Sequence, residues 1–423
     1  MKSASTTPTN TMGSKLSDQP VNGLTAGVDW ASTDHAVSIV DDRGREVARK
    51  SVEHTRGGLR ALVKFLLNHG VGEVAIERGD GPVVEALLDA ELTVVVISPN
   101  RLKNLRSRYG SAGNKDDRFD AYVLADTLRT DRTRLRPLTH DSEATKTLRA
   151  TVRARRELVK HRVALCNQLR AHLQAAFPGA VGLFQDLDSQ ISLRFLARFD
   201  SQERADWLST KRLAAWLASV GYCGRKDPAD LYAHLQAAPR GPVGPDGAAR
   251  AHVTRAMLNV LLELVEQIAA LQAQIAEQLA LHADAHIFTS LPRGGTVRAA
   301  RLLAEIGDAR GRFPDAASLA CLAGVAPSTR QSGKHTAVTY RWAVNKELRD
   351  AVCDFAGDSR HANPWAAKIY NDAIARGKDH PHATRILARA WLGVIWRCWH
   401  DEVAYNPDQH GALQALLNSA EAA

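Results

Sequence analysis

The sequence predicts an α/β domain at the N-terminus followed by an all-α remainder. Three observations predict it. Short apolar runs separated by turn residues fill the chain up to about residue 97, helical apolar spacing dominates after residue 143, and acidic residues close two of the apolar runs. At 423 residues the chain exceeds what one hydrophobic core serves, so two or three domains are expected. With 45% hydrophobic and 24% charged residues, the composition excludes a disordered or membrane-embedded protein.

The opening stretch, residues 1–22, is rich in Ser, Thr, Pro and Asn and lacks the apolar segment of a signal peptide, so it reads as a disordered tail. A strand then runs from Leu24 to Asp29 and a second from Ala36 to Val40. The turn Asp41-Asp42-Arg43-Gly44 leads into a third. Leu59, Leu62, Val63, Leu66 and Leu67 mark a helix. A strand Val74 to Glu77, a helix around Val83 to Leu88 and a strand Thr93 to Ile97 follow. A hairpin meander feeding alternating helices and strands describes a ribonuclease H-like (RuvC-like) fold over residues 23–140. A doubly wound nucleotide-binding sheet would need a Gly-rich turn after the first strand, where this chain has Asp29-Trp30-Ala31-Ser32.

Residues 141–285 read as a helical connector. A long helix covers about Glu143 to Phe177, and across residues 129–170 Lys and Arg outnumber Asp and Glu by 12 to 4. An excess this lopsided favours an electrostatic track for phosphates over a merely solvated face. Residues 238–248 read as a flexible loop. Met257, Leu261, Leu264, Ile268, Leu271 and Ile275 then follow the three-four spacing of a coiled-coil seam, equally an amphipathic helix packed in its own subunit. A helical C-terminal domain spans 286–405, with Gly294-Gly295 and Gly324 as breaks, and 406–423 reads as a tail.

Lys and Arg number 55 against 46 Asp and Glu, a net charge of +9, which favours a polyanionic partner such as nucleic acid. Cys166, Cys223, Cys321, Cys353 and Cys398 are far apart with no C-x-x-C pair, and His361, His380, His382 and His400 lack metal-ligand spacing with them. Neither a zinc knuckle nor a disulfide framework is suggested, the histidines are left unassigned, and a reducing cytoplasm fits. No apolar run approaches the roughly 18 residues of a membrane span.

Four acids stand out. Asp29 and Glu77 close apolar strands, where a carboxylate has no packing role. Asp117 and Asp120 sit three apart at the start of a helix and so face the same way. Each has an ordinary explanation alone, as a turn cap, an edge residue or a helix N-cap. Together they make a hard oxygen ligand set for Mg2+, with Mn2+ as a substitute, of the kind that clamps the attacking and leaving oxygens of a phosphodiester. Asp116 is one residue out of phase with Asp120.

These residues resemble the insertion-sequence transposases that join an N-terminal RuvC-like DEDD domain to a C-terminal domain with a catalytic serine. The matching segments are Gly27-Val28-Asp29, Ala75-Ile76-Glu77-Arg78-Gly79 and, most specifically, Asn114-Lys115-Asp116-Asp117-Arg118-Phe119-Asp120-Ala121. In the C-terminal half, Ala323-Gly324-Val325-Ala326-Pro327 followed by Ser332-Gly333 resembles the same family. So do Ala304-Glu305-Ile306-Gly307-Asp308 and Asn345 before Leu348-Arg349. A family-typical Pro-Gly-Ile-Gly turn stands here as Pro292-Arg293-Gly294-Gly295. The resemblance covers about residues 24–131 and 286–405.

The resemblance implies a DNA recombinase that cuts and rejoins donor and target DNA through a phosphoserine link at Ser332. It also implies a structured guide RNA encoded by the element and a homo-oligomer, dimer or tetramer. A serine needs a base or a metal to become nucleophilic, and no Ser-x-x-Lys or Gly-x-Ser-x-Gly motif supplies one locally. Arg330, Lys334 and Arg341 flank it as candidate phosphate contacts. Trp391, Trp396 and Trp399 read as core or interface packing rather than base-stacking platforms. Two rivals stay open: a metal-dependent nuclease or junction resolvase that uses water, and a non-catalytic nucleic-acid-binding protein.

Overall fold

The computed structural model describes residues 16–109, 116–332, 335–342 and 344–421. Residues 1–15 of the expected tail lie outside these, as do Asn114 and Lys115 of the acidic motif and Gly333 and Lys334 after the serine. The chain forms two compact units, one of residues up to 143 with 290–293 and 306 onward, the other of 144–289 with 294–305.

The first unit opens with β1 (Thr25–Trp30), β2 (Asp34–Val40), β3 (Glu46–Glu53), α1 (Arg56–Asn68), β4 (Glu73–Ile76), α2 (Pro82–Asp89), β5 (Thr93–Val96), α3 (Pro99–Arg106) and α4 (Asp117–Thr130). The five strands make one sheet in the order β3-β2-β1-β4-β5. β1 is antiparallel to β2 and parallel to β4, and β4 is parallel to β5. This is the mixed sheet expected of a RuvC-like domain.

Side-chain alternation along the strands decides what each face touches. Ala26 and Val28 of β1 and Val74 and Ile76 of β4 pack with Leu62, Leu66, Val83 and Leu87 of α1 and α2. The opposite face belongs to α3 and α4, where Ala75 and Val95 meet Leu102, Val123 and Leu124. Gly27 lies on that second face, and a Cβ there would come within 2.0 Å of the Ala121 carbonyl oxygen. The missing side chain is what lets α4 rest directly on the central strand.

The second unit is helical. It contains α5 (Glu143–Ala176), α6 (Gln190–Arg198), α7 (Gln202–Ala205), α8 (Thr210–Ser219), α9 (Pro228–Ala237), α10 (Gly244–Ala280), α11 (Ala285–Thr289) and α12 (Gly295–Ile306). Leu169, Leu173, Phe177, Phe195, Leu213, Leu231, Leu258 and Leu261 share a core, so residues 178–251 are a folded part of this unit. The expected loop at 238–248 is shorter than predicted. Gly244-Pro245-Asp246-Gly247 begins α10, because Pro at the first turn presets the helical φ and Asp246 complements the helix N-terminus. On the expected seam of α10, Leu261, Ile268 and Ile275 are buried and Met257, Leu264 and Leu271 half-buried. By length and composition α10 would also suit a membrane span, with mean hydropathy 1.3 over an 18-residue window, which the sequence reading did not expect.

The rest of the first unit comprises α13 (Ala316–Leu322), β6 (Ser328–Ser332), β7 (His335–Thr339), α14 (Lys346–Ser359), α15 (Pro364–Ala375), α16 (His380–His400) and α17 (Gly411–Glu421). Trp391 and Trp399 are fully buried, and their indole N–H groups donate to Ser359 Oγ at 2.8 Å and to the Gly307 carbonyl at 2.7 Å. Trp396 donates to the Phe313 carbonyl at 3.0 Å. The tryptophans are packing residues, as expected.

Three expectations need correction. The C-terminal region is not purely helical, since β6 and β7 form an antiparallel hairpin. The expected tail after 405 includes α17, whose Leu413 is buried. The expected N-terminal tail includes packed residues: Leu16 lies beside the Leu102 and Leu124 core and the Ser17 carbonyl accepts from Arg132 Nε at 2.9 Å.

Candidate active site

Asp29 is the fifth residue of β1 and shares the face of Gly27, so its side chain points toward α4. On α4, Asp116 rather than Asp117 is the N-cap, its carboxylate accepting from the Arg118 N–H at 3.1 Å. That leaves Asp117 in the first helical position and Asp120 one turn on, both on the side facing β1. Carboxylate oxygens of Asp29, Asp117 and Asp120 lie within 4.8 Å of one another, and Asp29 and Asp120 are buried. Buried carboxylates this close repel unless cations separate them. The donor set, all hard oxygen, fits a divalent ion of the Mg2+ class.

Glu77 is placed differently. It follows the last residue of β4, one position beyond the Val28–Ile76 pair that ends the parallel register, as Asp29 is on β1. It is half-buried and outside the three-carboxylate group.

Sequence reasoning missed one residue that bears on the site. Arg106, at the end of α3, donates from Nε and Nη2 to the two oxygens of Asp120, each at 2.5 Å. The fork-to-fork pair neutralises a carboxylate whose side chain is only 2% exposed. Nothing in the local sequence signals a pair 14 residues apart. Two further cations, Arg49 and Lys50 of β3, join Asp29, Asp117 and Arg118 in lining a cleft of about 420 Å3. Carboxylates beneath and cations at the rim suit a phosphodiester approaching a metal.

Ser332 lies elsewhere. It is exposed, the last residue of β6, and paired with His335 of β7 in a sheet separate from the one that carries the acids. Arg341 is exposed beyond β7. Arg330 pairs with Ala337 within the hairpin, and Lys334 falls outside the described residues.

Several motif residues have structural roles. Asp141 Oδ1 accepts from the N–H groups of Asp308 and Ala309 at 3.1 and 3.2 Å. A Cβ at Gly307, whose φ is +85°, would stand 2.1 Å from that same oxygen, so only glycine fits. Glu305, almost fully buried, takes a two-pronged bond from Arg153 with both distances 2.8 Å. Asn345 caps α14 through the Leu348 N–H at 3.1 Å. In the departing turn, Arg293 has φ +56°, the left-handed conformation that explains why the related pattern carries glycine there.

The family model DEDD_Tnp_IS110, described as "Transposase", matches residues 26–178, and "Transposase IS116/IS110/IS902 family" matches residues 285–371. The "Mini-circle putative transposase for IS117" of Streptomyces coelicolor is 32% identical over 93% of this chain and 97% of its own length. The chain belongs to the IS110/IS116 family of transposases. It is thus a DNA-processing enzyme with a RuvC-like DEDD domain. The transposase is also similar to the "Insertion element IS110 uncharacterized 43.6 kDa protein" of the same organism, 28% identical over 90% of this chain and 95% of that protein. The "Insertion element IS900 uncharacterized 42 kDa protein" of Mycobacterium paratuberculosis is 26% identical over 90% of this chain and 97% of its own. Among solved structures, "T. thermophilus RuvC in complex with Holliday junction substrate" covers 27% of the transposase and 99% of its own chain at 17% identity, with a TM-score of 0.23, too low to support a structural inference.

Proposed function

We propose that this transposase breaks and rejoins DNA using Asp29, Glu77, Asp117 and Asp120 as a divalent-metal site and Ser332 as the nucleophile. The carrying observation is the convergence of Asp29, Asp117 and Asp120 from β1 and α4 in a chain of this family. The resident ion, Mg2+ or Mn2+, would stabilise charge on the oxygens of the scissile phosphate. Asp29 and Asp120 are held close together by a strand and a helix already packed on each other, and Asp120 would share its oxygens between the ion and Arg106. Arg49, Lys50 and Arg118 attract the strand into the cleft.

Ser332 Oγ attacks phosphorus, forming the Ser332 O–P bond while the bond from phosphorus to the 3′ oxygen breaks. The serine gives up its proton and the departing 3′ oxygen gains one, so no oxidant or energy donor is consumed. A new 3′ hydroxyl then attacks the phosphoserine and releases Ser332. The link conserves the broken bond for strand exchange. Guidance by a structured RNA from the mobile element and action as a dimer or tetramer belong to the same proposal, supported by family membership and by the net charge of +9. An exposed serine on a sheet apart from the acids fits a site completed only when the two parts are brought together on DNA.

The test is to trap the reaction on the element's own terminal DNA and resolve protein-linked strands under denaturing conditions. A covalent adduct is expected for the natural protein and its loss in Ser332→Ala. An adduct that persists in Ser332→Ala sinks the nucleophile assignment, and free 5′ ends without any adduct would assign the attack to water.

A further inference from the structure

Below the Ser332 hairpin is a groove of about 600 Å3 that the mechanism above does not use. Its size is within the range of about 300–1,000 Å3 typical of ligand sites. Tyr340 and Trp342, just beyond β7, form one wall. His382, Arg385 and Arg389, which share one face of α16 at helical spacing, form the other. Trp342 is 89% exposed, which is costly for an indole with nothing to cover it. The Arg385 guanidinium lies 3.9 Å from the Tyr340 ring centroid, and the His382 ring meets Tyr340 edge-on at 5.4 Å. Among the described residues, no acidic side chain lines the groove and neither Arg385 nor Arg389 forms an ion pair.

We infer that this groove holds an unpaired nucleotide of the DNA strand being processed, its base stacked on Trp342 and its phosphate on Arg389. The inference rests on the reading of the chain as a DNA strand-exchange enzyme. Aromatic faces interleaved with unpaired arginines match a base and its phosphate, where an apolar peptide would leave the arginines unused. A base reaches such a wall only when it is out of the duplex stack. Ser332 pairs near the hairpin turn and Ser328 opposite Thr339 at its base, so four residues of β6 separate the groove from the nucleophile. At about 3.3 Å per residue that is about 13 Å, or about four nucleotides of a stacked strand. The groove therefore sits where a strand anchored at Ser332 would be pulled open.

Full-length protein is titrated against a single-stranded oligonucleotide carrying a fluorescent base analogue and against a duplex of the same length. Trp342→Ala is expected to bind the single strand about 10-fold more weakly, in line with the contribution of one stacked base, and the duplex as before. Trp342→Phe is expected to keep most of the affinity, and Arg389→Ala to weaken both the affinity and its salt dependence. Trp342 is too exposed for its loss to threaten folding, which a thermal melt checks. Single-strand binding unchanged in Trp342→Ala, or a loss shared equally with the duplex, overturns the groove alone. A change of sedimentation in Trp342→Ala without a change in binding would mean that a second copy of the chain covers the groove, and also overturns it. A natural protein that grips neither probe would overturn the strand-exchange reading itself.

Discussion

A buried carboxylate is stable only with a counter-charge, and Asp120 has one in Arg106. The same two oxygens are wanted by a divalent ion at Asp29 and Asp117, so guanidinium and metal compete for, or share, one group. Removing the arginine then has two opposite effects. Without metal, Arg106→Ala leaves Asp120 buried and uncompensated and destabilises the fold by about 1–3 kcal/mol, less than the roughly 3–5 kcal/mol of a fully buried broken pair because Arg106 is 28% exposed. With metal, the ion binds an undefended carboxylate and the ligand-induced rise in melting temperature grows. Melting the natural protein and the variant across a Mn2+ series checks both signs. An equal or smaller Mn2+-induced rise in Arg106→Ala would show that the arginine does not share the metal's ligand.

At the scale of elements, what was legible in the sequence follows from where burial imposes a pattern. β1, β2, β4 and β5 were readable to within about two residues because strands covered on both faces become apolar runs. α3 was missed because its exposed face is polar, while Leu102 is buried. β6 and β7 were missed because Ser-Thr-Arg-Gln-Ser pairs with a partner strand at the surface and has no apolar alternation to read. The acids were found from strand ends, whereas Arg106 was invisible because its pairing is tertiary. The junction most exposed to damage is β1 on α4. Gly27→Ala would push a Cβ to within 2.0 Å of the Ala121 carbonyl and 2.8 Å of Leu124 Cβ, and a helix backbone cannot yield as a side chain does. We expect destabilisation of about 3 kcal/mol or more, at the upper end for overpacking, together with loss of the Mn2+-induced shift, because Asp29 and Asp120 ride on the two displaced elements. A variant that melts with the natural protein would show that α4 can slide without penalty.

For the molecule as a whole, the net charge of +9 is a sum whose parts are not equally available to DNA or RNA. Of the 12 Lys and Arg between 129 and 170, Arg129 pairs with Asp126, Arg132 with Glu73, Arg153 with Glu305, Lys160 with Glu157 and Arg162 with Asp188. The basic stretch that reads as a continuous track is therefore partly internal. Arg132 is the clearest case, 5% exposed and bound through both oxygens of buried Glu73. Arg134 and Arg136 are exposed and without a carboxylate partner among the described residues. Charges that reach phosphates are identified by salt dependence, since each neutralised phosphate contributes about 0.9 to the slope of log affinity against log salt. Replacing Arg134 and Arg136 together by Ala is expected to lower that slope by about 2 and leave the melting temperature in place. Arg132→Ala is expected to do the reverse. It strands Glu73 in the core, lowers stability by about 3–5 kcal/mol, and leaves the slope of the protein that remains folded unchanged. Anisotropy titrations of a labelled duplex over a salt series, alongside melts, separate the two behaviours. A slope that falls with Arg132 and not with the exposed pair would mean that the buried cation reaches nucleic acid by leaving Glu73, contrary to the division drawn here.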